Sequence, residues 1–590
     1  MKTIYNIKAL CVLAFLGGAS VASAQVDTSK SKNLNREMTL EREYDPSVQD
    51  ASKVNTLPEI KEPEVRKIPI DYATFTTPTD PEKEIGLLPS GNVMTQMAYN
   101  KRRGYFNFGG GTSLNLNGDL GYHILSTDKD QLNFWFSHRS TNGKVKYIQD
   151  ELDDVKVKAK LNDNLGGLAF RHHFEKLTLN MGAKFGYTTF NYYGSTPQVI
   201  GESDWETLVD DYESQANQTI QAYVGVESKE DAPVGYLLDL GVTNFSHKKG
   251  LLDINDKMME NTFEAKFDLN AGFNGNMRVG VGGLAEYFHY GDLADDNHLD
   301  AVSAEGHGYH FKNHAELMLS PYFKVEGDTW NIKLGANVMV ATGDDSKFMA
   351  SPNIAAAAEV GNKTELYLNA GGKMYSNSLY ETSRINRYFL QYAELLPSRN
   401  WLDATVGLRS GVAPGFWFDI FGGYKMTDDD VFFIPTVRHE QLGALYGACQ
   451  FDSKHGFGGA SLKYNYQQLF EIRVKGVYNS WKVESDQADM PVEAYGKPEM
   501  EITAGVTVKP IDKVAVDLNY YLATGRQALV DNQSVEMKNI NELNVTGSYT
   551  LNDTFGFYLK LHNVLCQKYE IYYGYPMQSF SAMVGVNINF

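Results

Sequence analysis

The last stretch of the chain, Gln578-Ser-Phe-Ser-Ala-Met-Val-Gly-Val-Asn-Ile-Asn-Phe590, sets Phe580, Ala582, Val584, Val586, Ile588 and Phe590 on even positions. Ser579, Ser581, Gly585, Asn587 and Asn589 fall between them, and only Met583 breaks the pattern. Successive side chains of an extended backbone point to opposite faces, so the stretch predicts a strand with one apolar and one polar face. About a dozen residues is long for a soluble sheet, whose strands usually run to roughly five or six. It suits a tilted strand crossing a bilayer, which needs about nine to eleven. The competing reading is an edge strand of a soluble sandwich.

The same period of two recurs from Lys101 onward. Leu132, Phe134 and Phe136 alternate with Asn133, Trp135 and Ser137, and Leu177 to Tyr187 alternate with Thr178, Asn180, Gly182, Lys184 and Gly186. The spacing returns at Tyr236–Val242, Ile332–Val340, Leu366–Met374, Val514–Leu522, Leu543–Leu551 and Phe555–Leu561, and no helical period of comparable length interrupts it. Tight turns are predicted at Glu175-Lys176, Asn274-Gly275, Gly327-Asp328, Gly361-Asn362, Ile511-Asp512 and Asn552-Asp553. Long polar connections are predicted at about 142–164, 191–218, 291–308, 376–400, 428–440, 483–498, 525–539 and 566–576. Short turns at one end and long loops at the other mark a transmembrane antiparallel β-barrel, and the segments count to about 22 strands. A propeller or solenoid would show a fixed sequence repeat, and none is found. Polar partners of apolar strand positions then face the lumen, which names Asn180, Lys184, Asn331, Lys333, Asp517 and Asn519 as candidate lumen-lining residues. Tyr187, Tyr192-Tyr193, Tyr520-Tyr521 and Tyr572-Tyr573 are expected in interfacial girdles.

The start of the chain differs. Lys2 and Lys8 flank the apolar run Ala9–Leu16, and Ala22-Ser-Ala24 precedes Gln25, the pattern of a secretory signal peptide over residues 1–24. Residues 25–95 hold seven of the 18 prolines and the charged run Glu59-Ile-Lys-Glu-Pro-Glu-Val-Arg-Lys67. This predicts an irregular Pro-rich arm, periplasmic or inserted in the lumen, ahead of a barrel over 96–590. After Gln25 no apolar run approaches the roughly 20 residues of a spanning helix, so insertion falls to a closed barrel. Cys449 and Cys566 alone remain after Cys11 is removed, too few for a disulfide framework in an exported chain. The formal charge of −19 argues against nucleic acid as a partner.

The terminal strand resembles that of bacterial outer-membrane barrels, in which the final aromatic residue, here Phe590, is read by the barrel assembly machinery. Asn563-Val-Leu-Cys-Gln-Lys-Tyr-Glu570, Tyr573-Gly-Tyr-Pro576 and Gly585-Val-Asn-Ile-Asn-Phe590 resemble the last hairpin of TonB-dependent receptors. Pro498–Val506 and Val514–Tyr521 are similar to that family's barrel. The resemblance implies 22 strands, an outer-membrane location among lipids and lipopolysaccharide, and uptake. It also implies a plug domain of well over a hundred residues, for which residues 25–95 are too short; the chain is thus read as a plug-less relative. Glu37-Met-Thr-Leu-Glu41 is only loosely like a TonB box, so engagement of TonB stays open.

Acidic clusters at Asp150, Glu151, Asp153 and Asp154, at Asp292, Asp295, Asp296 and Asp300, and at Asp428–Asp430 lack the spacing of calcium loops and read as solvated connections. His172 and His173 point to opposite faces of a strand, and His307 and His310 add no ligand spacing, so no metal or cofactor is expected. Asp296 with His298 carries no catalytic spacing, so the chain is not read as an enzyme. Gly280-Val-Gly-Gly283 lacks a strand-to-helix context and reads as a glycine kink in a strand. Two functions follow: solute uptake across the outer membrane with a gating partner, or an accessory barrel in an envelope assembly complex that docks a periplasmic or surface protein through residues 25–95.

Overall fold

The computed structural model describes residues 102–149, 155–195, 214–229, 232–249, 258–291, 311–343, 346–389, 395–439, 443–485 and 491–590. The signal peptide, the arm over 25–95, the Glu37–Glu41 motif, the first two acidic clusters, His298, His307 and His310 lie outside them. Among the described residues no helix is long and apolar enough to cross a membrane.

The antiparallel wall strands follow one another round the sheet in chain order from Gly104–Gly111 to Ser581–Asn589, while two small hairpins, Gln527–Val530 with Gln533–Glu536 and Glu570–Tyr572 with Tyr575–Pro576, stand outside it. The first and last wall strands then pair with each other, Tyr105 opposite Asn589 through Gly111 opposite Met583, so the sheet closes on itself. Phe590 finishes the seam: its amide donates to the Gly104 carbonyl at 3.0 Å and its carbonyl accepts from the Gly104 amide at 2.8 Å. Lys347–Pro352 and Ile354–Gly361 both pair with Trp330–Ala341 and make one interrupted stave, which brings the cylinder to 22.

Strand alternation sorts the side chains as the sequence pattern predicts. Phe185 is 49% exposed, Leu334 51% and Val584 65%. They share a face with cross-strand partners such as Leu238 opposite Phe267 and Leu368 opposite Val406. Met583, the exception in the last strand, is 4% exposed and sits on the other face. Followed strand to strand, the registers keep Asn180, Lys184, Asn331, Lys333, Asp517 and Asn519 together on that second face.

Gly280 and Gly283 do lie in a strand, Met277–Gly291. A Cβ on Gly280 would meet the Tyr322 ring, its hydroxyl at 2.6 Å, and one on Gly283 the Phe267 ring. Tyr322 and Phe267 are the cross-strand partners of these glycines, so the missing side chain is what lets each ring lie flat on the sheet.

Three expectations fail. The connection expected at about 142–164 is much shorter, because Asp130–Lys146 and Lys156–His173 are strands paired to their ends. Residues 428–440 are not a connection: Phe416–His439 and Gly443–Tyr466 are strands of 24 residues each, paired nearly throughout. Asp428 and Asp429 accept ion pairs from Arg399 at 3.2 and 3.4 Å, and Lys347 stands 3.9 Å from Asp429. Neutralised by neighbouring strands, these acids need no solvated loop. The tyrosines expected in girdles also divide. Tyr192, Tyr193 and Tyr521 are buried; Tyr193 donates to the Pro576 carbonyl at 3.2 Å and Tyr521 to Glu501 at 2.7 Å, since a tyrosine packs inside readily where a carbonyl or carboxylate accepts its hydrogen bond.

Candidate functional site at the loop end of the barrel

Strands 177–191 and 443–466 stand half-way round the cylinder from each other, yet Leu445 of the second packs with Phe190 and Tyr192 at the end of the first. Side chains on opposite walls of a closed cylinder can meet only through its interior. Phe190 shares the face of Asn180 and Lys184, so at this end the second face is the inner one, and the described parts of the connections after Tyr375 and after His562 reach over it.

A short helix, Leu379–Ile385, is the first part of this cover. Ser378 caps it, its hydroxyl accepting from the Glu381 amide at 3.3 Å, while the Glu381 carboxylate turns back to accept from Ser376 at 2.9 Å. Glu260, buried at the tip of strand 259–273, accepts from the Tyr380 amide at 3.0 Å and from Thr262 at 2.9 Å. A carboxylate at a helix N-terminus is well placed, since it takes up an amide that has no partner within the helix. Leu379 fills an apolar socket of Phe245, Met258, Phe288, Tyr290 and Phe311. Farther along, the Leu396 amide donates to Gln450 and its carbonyl accepts from the same side chain, both at 2.8 Å.

Tyr388 is the hub. Its ring stacks on Tyr575 at 3.7 Å between centroids and meets Phe190, Tyr193 and Tyr572 edge-on at 6.0, 6.0 and 6.1 Å. Its carbonyl accepts from the Tyr446 amide at 3.0 Å, and the Tyr446 hydroxyl donates to the Tyr573 carbonyl at 2.7 Å. The Tyr572 hydroxyl donates to the carbonyl of Ile385, tying the last long connection to the helix.

Beneath the same connection Arg526 is fully buried and donates to three carbonyls: Ile571 at 3.1 Å, Lys538 at 2.8 Å and Glu570 at 2.8 Å. The Glu570 side chain accepts from Gln149 at 2.6 Å, and Lys538 donates to the Ile148 carbonyl at 3.0 Å. Burial pushes the Glu570 carboxyl up to about 7.

The six residues named from sequence as lumen-lining do not join this cover. They lie along the wall with ordinary wall partners: Asn180 accepts from Arg171 at 2.7 Å and donates to Glu227 at 3.4 Å, and Asp517 accepts from Thr507 at 2.6 Å. Lys333 lies 4.7 Å over the Tyr322 ring, while Lys184 faces Gln221, Asn331 faces Glu326 and Asn519 faces Asn544. His172 contacts Asp130 at 2.6 Å and His173 contacts Thr178 at 3.1 Å, separate partners on separate faces. Among the described residues no group of three or more His, Cys, Asp or Glu is placed to hold a metal ion. Sequence reasoning missed Glu260, Tyr388 and Arg526. The Ser378-Leu-Tyr-Glu381 capping box was a legible sign of the helix; nothing local marks the other three.

No family model matches the sequence, and no curated protein matches it. Solved structures similar to the chain include the FrpB iron transporter from Neisseria meningitidis, with a TM-score of 0.61, 10% identity, and coverage of 83% of this chain and 82% of that one. The copper transporter OprC gives 0.59, 10%, 83% and 80%, and P. aeruginosa FpvA, in complex with heterologous pyoverdines, gives 0.60, 12%, 83% and 72%. Likeness at these identities shows the fold alone, a β-barrel like those of FrpB, OprC and FpvA.

Proposed function

We propose that this chain is an outer-membrane uptake barrel whose outer mouth is shut by its own connections, and that its role is passage of a solute rather than catalysis. The exposed apolar band supports placing the strands in lipid, and the registers support reading Asn180, Lys184, Asn331, Lys333, Asp517 and Asn519 as lumen-lining. The observation that carries the proposal is the contact of Tyr388, Tyr446 and Tyr575 across the barrel's loop end. A 22-strand cylinder left open would be a wide aqueous hole, and barrels of this size are kept plugged. The mouth cover is one barrier, and the Pro-rich residues 25–95 are in our reading the second, in place of a full plug domain.

Deleting residues 25–95 tests this. Raised dye and antibiotic permeability of cells producing the variant is the expected result. Unchanged permeability together with loss of a co-purifying protein would overturn it in favour of an accessory barrel docking through that segment.

A further inference from the structure

Toward the turn end of the barrel the inner face carries aromatic rings laid flat on the wall, each over a cross-strand glycine. Tyr105 lies over Gly121, Trp135 over Gly167 and Tyr223 over Gly182, and a Cβ on any of these glycines would come within 3.0 Å of the ring. They stand on the face of Lys184: Gly167, opposite Trp135, is also opposite Lys184, and Gly182 lies two residues before it. One side of each ring is thereby spent on the wall and the other is turned to the lumen. Tyr322, Tyr367 and Tyr558 are laid down in the same way over Gly280, Gly407 and Gly585, but a cation covers each: Lys333 at 4.7 Å, Arg409 at 5.4 Å and Lys560 at 5.0 Å. Among the described residues no cation and no second ring covers Tyr105, Trp135 or Tyr223, and Tyr105 is 43% and Tyr223 37% exposed.

The chain enters the barrel beside these three rings. Arg102 donates to the Asp553 carbonyl, in a tight turn, and to the Asn589 carbonyl at 2.7 Å, which fastens the start of the first strand to the turn end. Ahead of it in sequence come residues 78–95, with Pro78, Pro81 and Pro89 and the apolar run Ile85-Gly-Leu-Leu-Pro89. Aromatic-lined surfaces take up proline-bearing segments, whose restricted backbone has little entropy left to lose. The length suffices: Tyr223 lies five strands on from Tyr105, about 24 Å at ~4.8 Å per strand, and the residues from Pro89 to Gly104 span up to about 50 Å. We propose that Tyr105, Trp135 and Tyr223 are the seat of residues 78–95, with Ile85–Pro89 laid across the lumen-facing sides of the rings. The inference rests on the reading above that residues 25–95 stand in the lumen, and it gives part of that segment its place on the wall. Apolar side chains that a water-filled lumen would leave exposed are buried there against the rings.

The test uses the full chain in outer membranes of producing cells, with photo-reactive p-benzoylphenylalanine in place of Tyr223. Illumination and tryptic digestion should join position 223 to Glu84–Lys101, the peptide between the cuts after Lys83 and Lys101. The same probe in place of Tyr236, on the outward face, should not give that product. Cross-links to wall peptides alone, to residues 25–77, to a small solute, or to a second copy in a product of twice the mass would overturn the proposal. Trp135→Leu with Tyr223→Leu should raise dye permeability several-fold in the full chain and change nothing further in a chain lacking residues 25–95. A folded double variant with wild-type permeability also overturns it; should that variant not fold, the cross-link decides. Raised permeability of the deletion with no cross-link removes the seat and keeps the barrier, whereas a cross-link with no effect of the deletion keeps the seat and removes the barrier.

Discussion

Replacing Tyr388 by Ala should unlatch the mouth without unfolding the barrel. The ring is partly buried, stacks on Tyr575 at 3.7 Å and meets four further aromatic rings, those of Phe190, Tyr192, Tyr193 and Tyr572. Truncating a packed aromatic side chain to Ala costs about 3–5 kcal/mol, and partial exposure argues for the lower end. A loss of about 3 kcal/mol shifts the ratio of closed to open connection by roughly a hundredfold, since 1.4 kcal/mol is a factor of ten. The side chain takes no part in the strand ladders, so the cylinder itself should stay intact. Arg384 and Arg387 lie in the cover and give trypsin two bonds that it can cut only when the segment opens. Where opening and closing are fast relative to cleavage, the rate follows the open population, so native cleavage there should rise about a hundredfold. Tyr388→Phe keeps the ring and should stay within about tenfold of the wild type, the range of one net hydrogen bond. A cleavage rate for Tyr388→Ala within about threefold of wild type, with the barrel folded, would refute the latch.

The Glu570 carboxyl, raised from an ordinary 4.5 to about 7 by burial, makes the same cover sensitive to pH. A folded-state value above the unfolded one means the contribution is fully present below about 4.5 and is lost as pH rises through about 7. Tryptic cleavage at Arg384 and Arg387 should therefore increase between pH 5 and 8, by an amount bounded at about 3 kcal/mol, and Glu570→Gln should flatten the profile. In the wall, Gly280→Ala would push its Cβ into the Tyr322 ring and onto Asn270 Cβ at 2.8 Å, and should lower stability in denaturant titration by about 1–3 kcal/mol. Adding Tyr322→Ala should recover part of that loss, a coupling that independent sites would not show.

The extent to which this protein could be read from its sequence follows from the range of the forces involved. The strand period is local: each residue's face is set by its neighbour's, so Phe185 against Lys184 and Leu334 against Lys333 were legible, as were the turns at Asn274-Gly275 and Asn552-Asp553. Closure through Gly104 and Phe590 follows from the same count, because in lipid an open edge has no partners. What the tertiary structure decided lies where period is absent. Residues 428–440 looked like a polar loop because their acids find Arg399 and Lys347 only once other strands are in place. Tyr192, Tyr193 and Tyr388 looked like girdle or loop residues because their partners lie across the cylinder, contributed by segments about 200 to 400 positions away in the chain. A sequence pattern reports which way a side chain points; what it then meets across a lumen depends on the whole cylinder having closed.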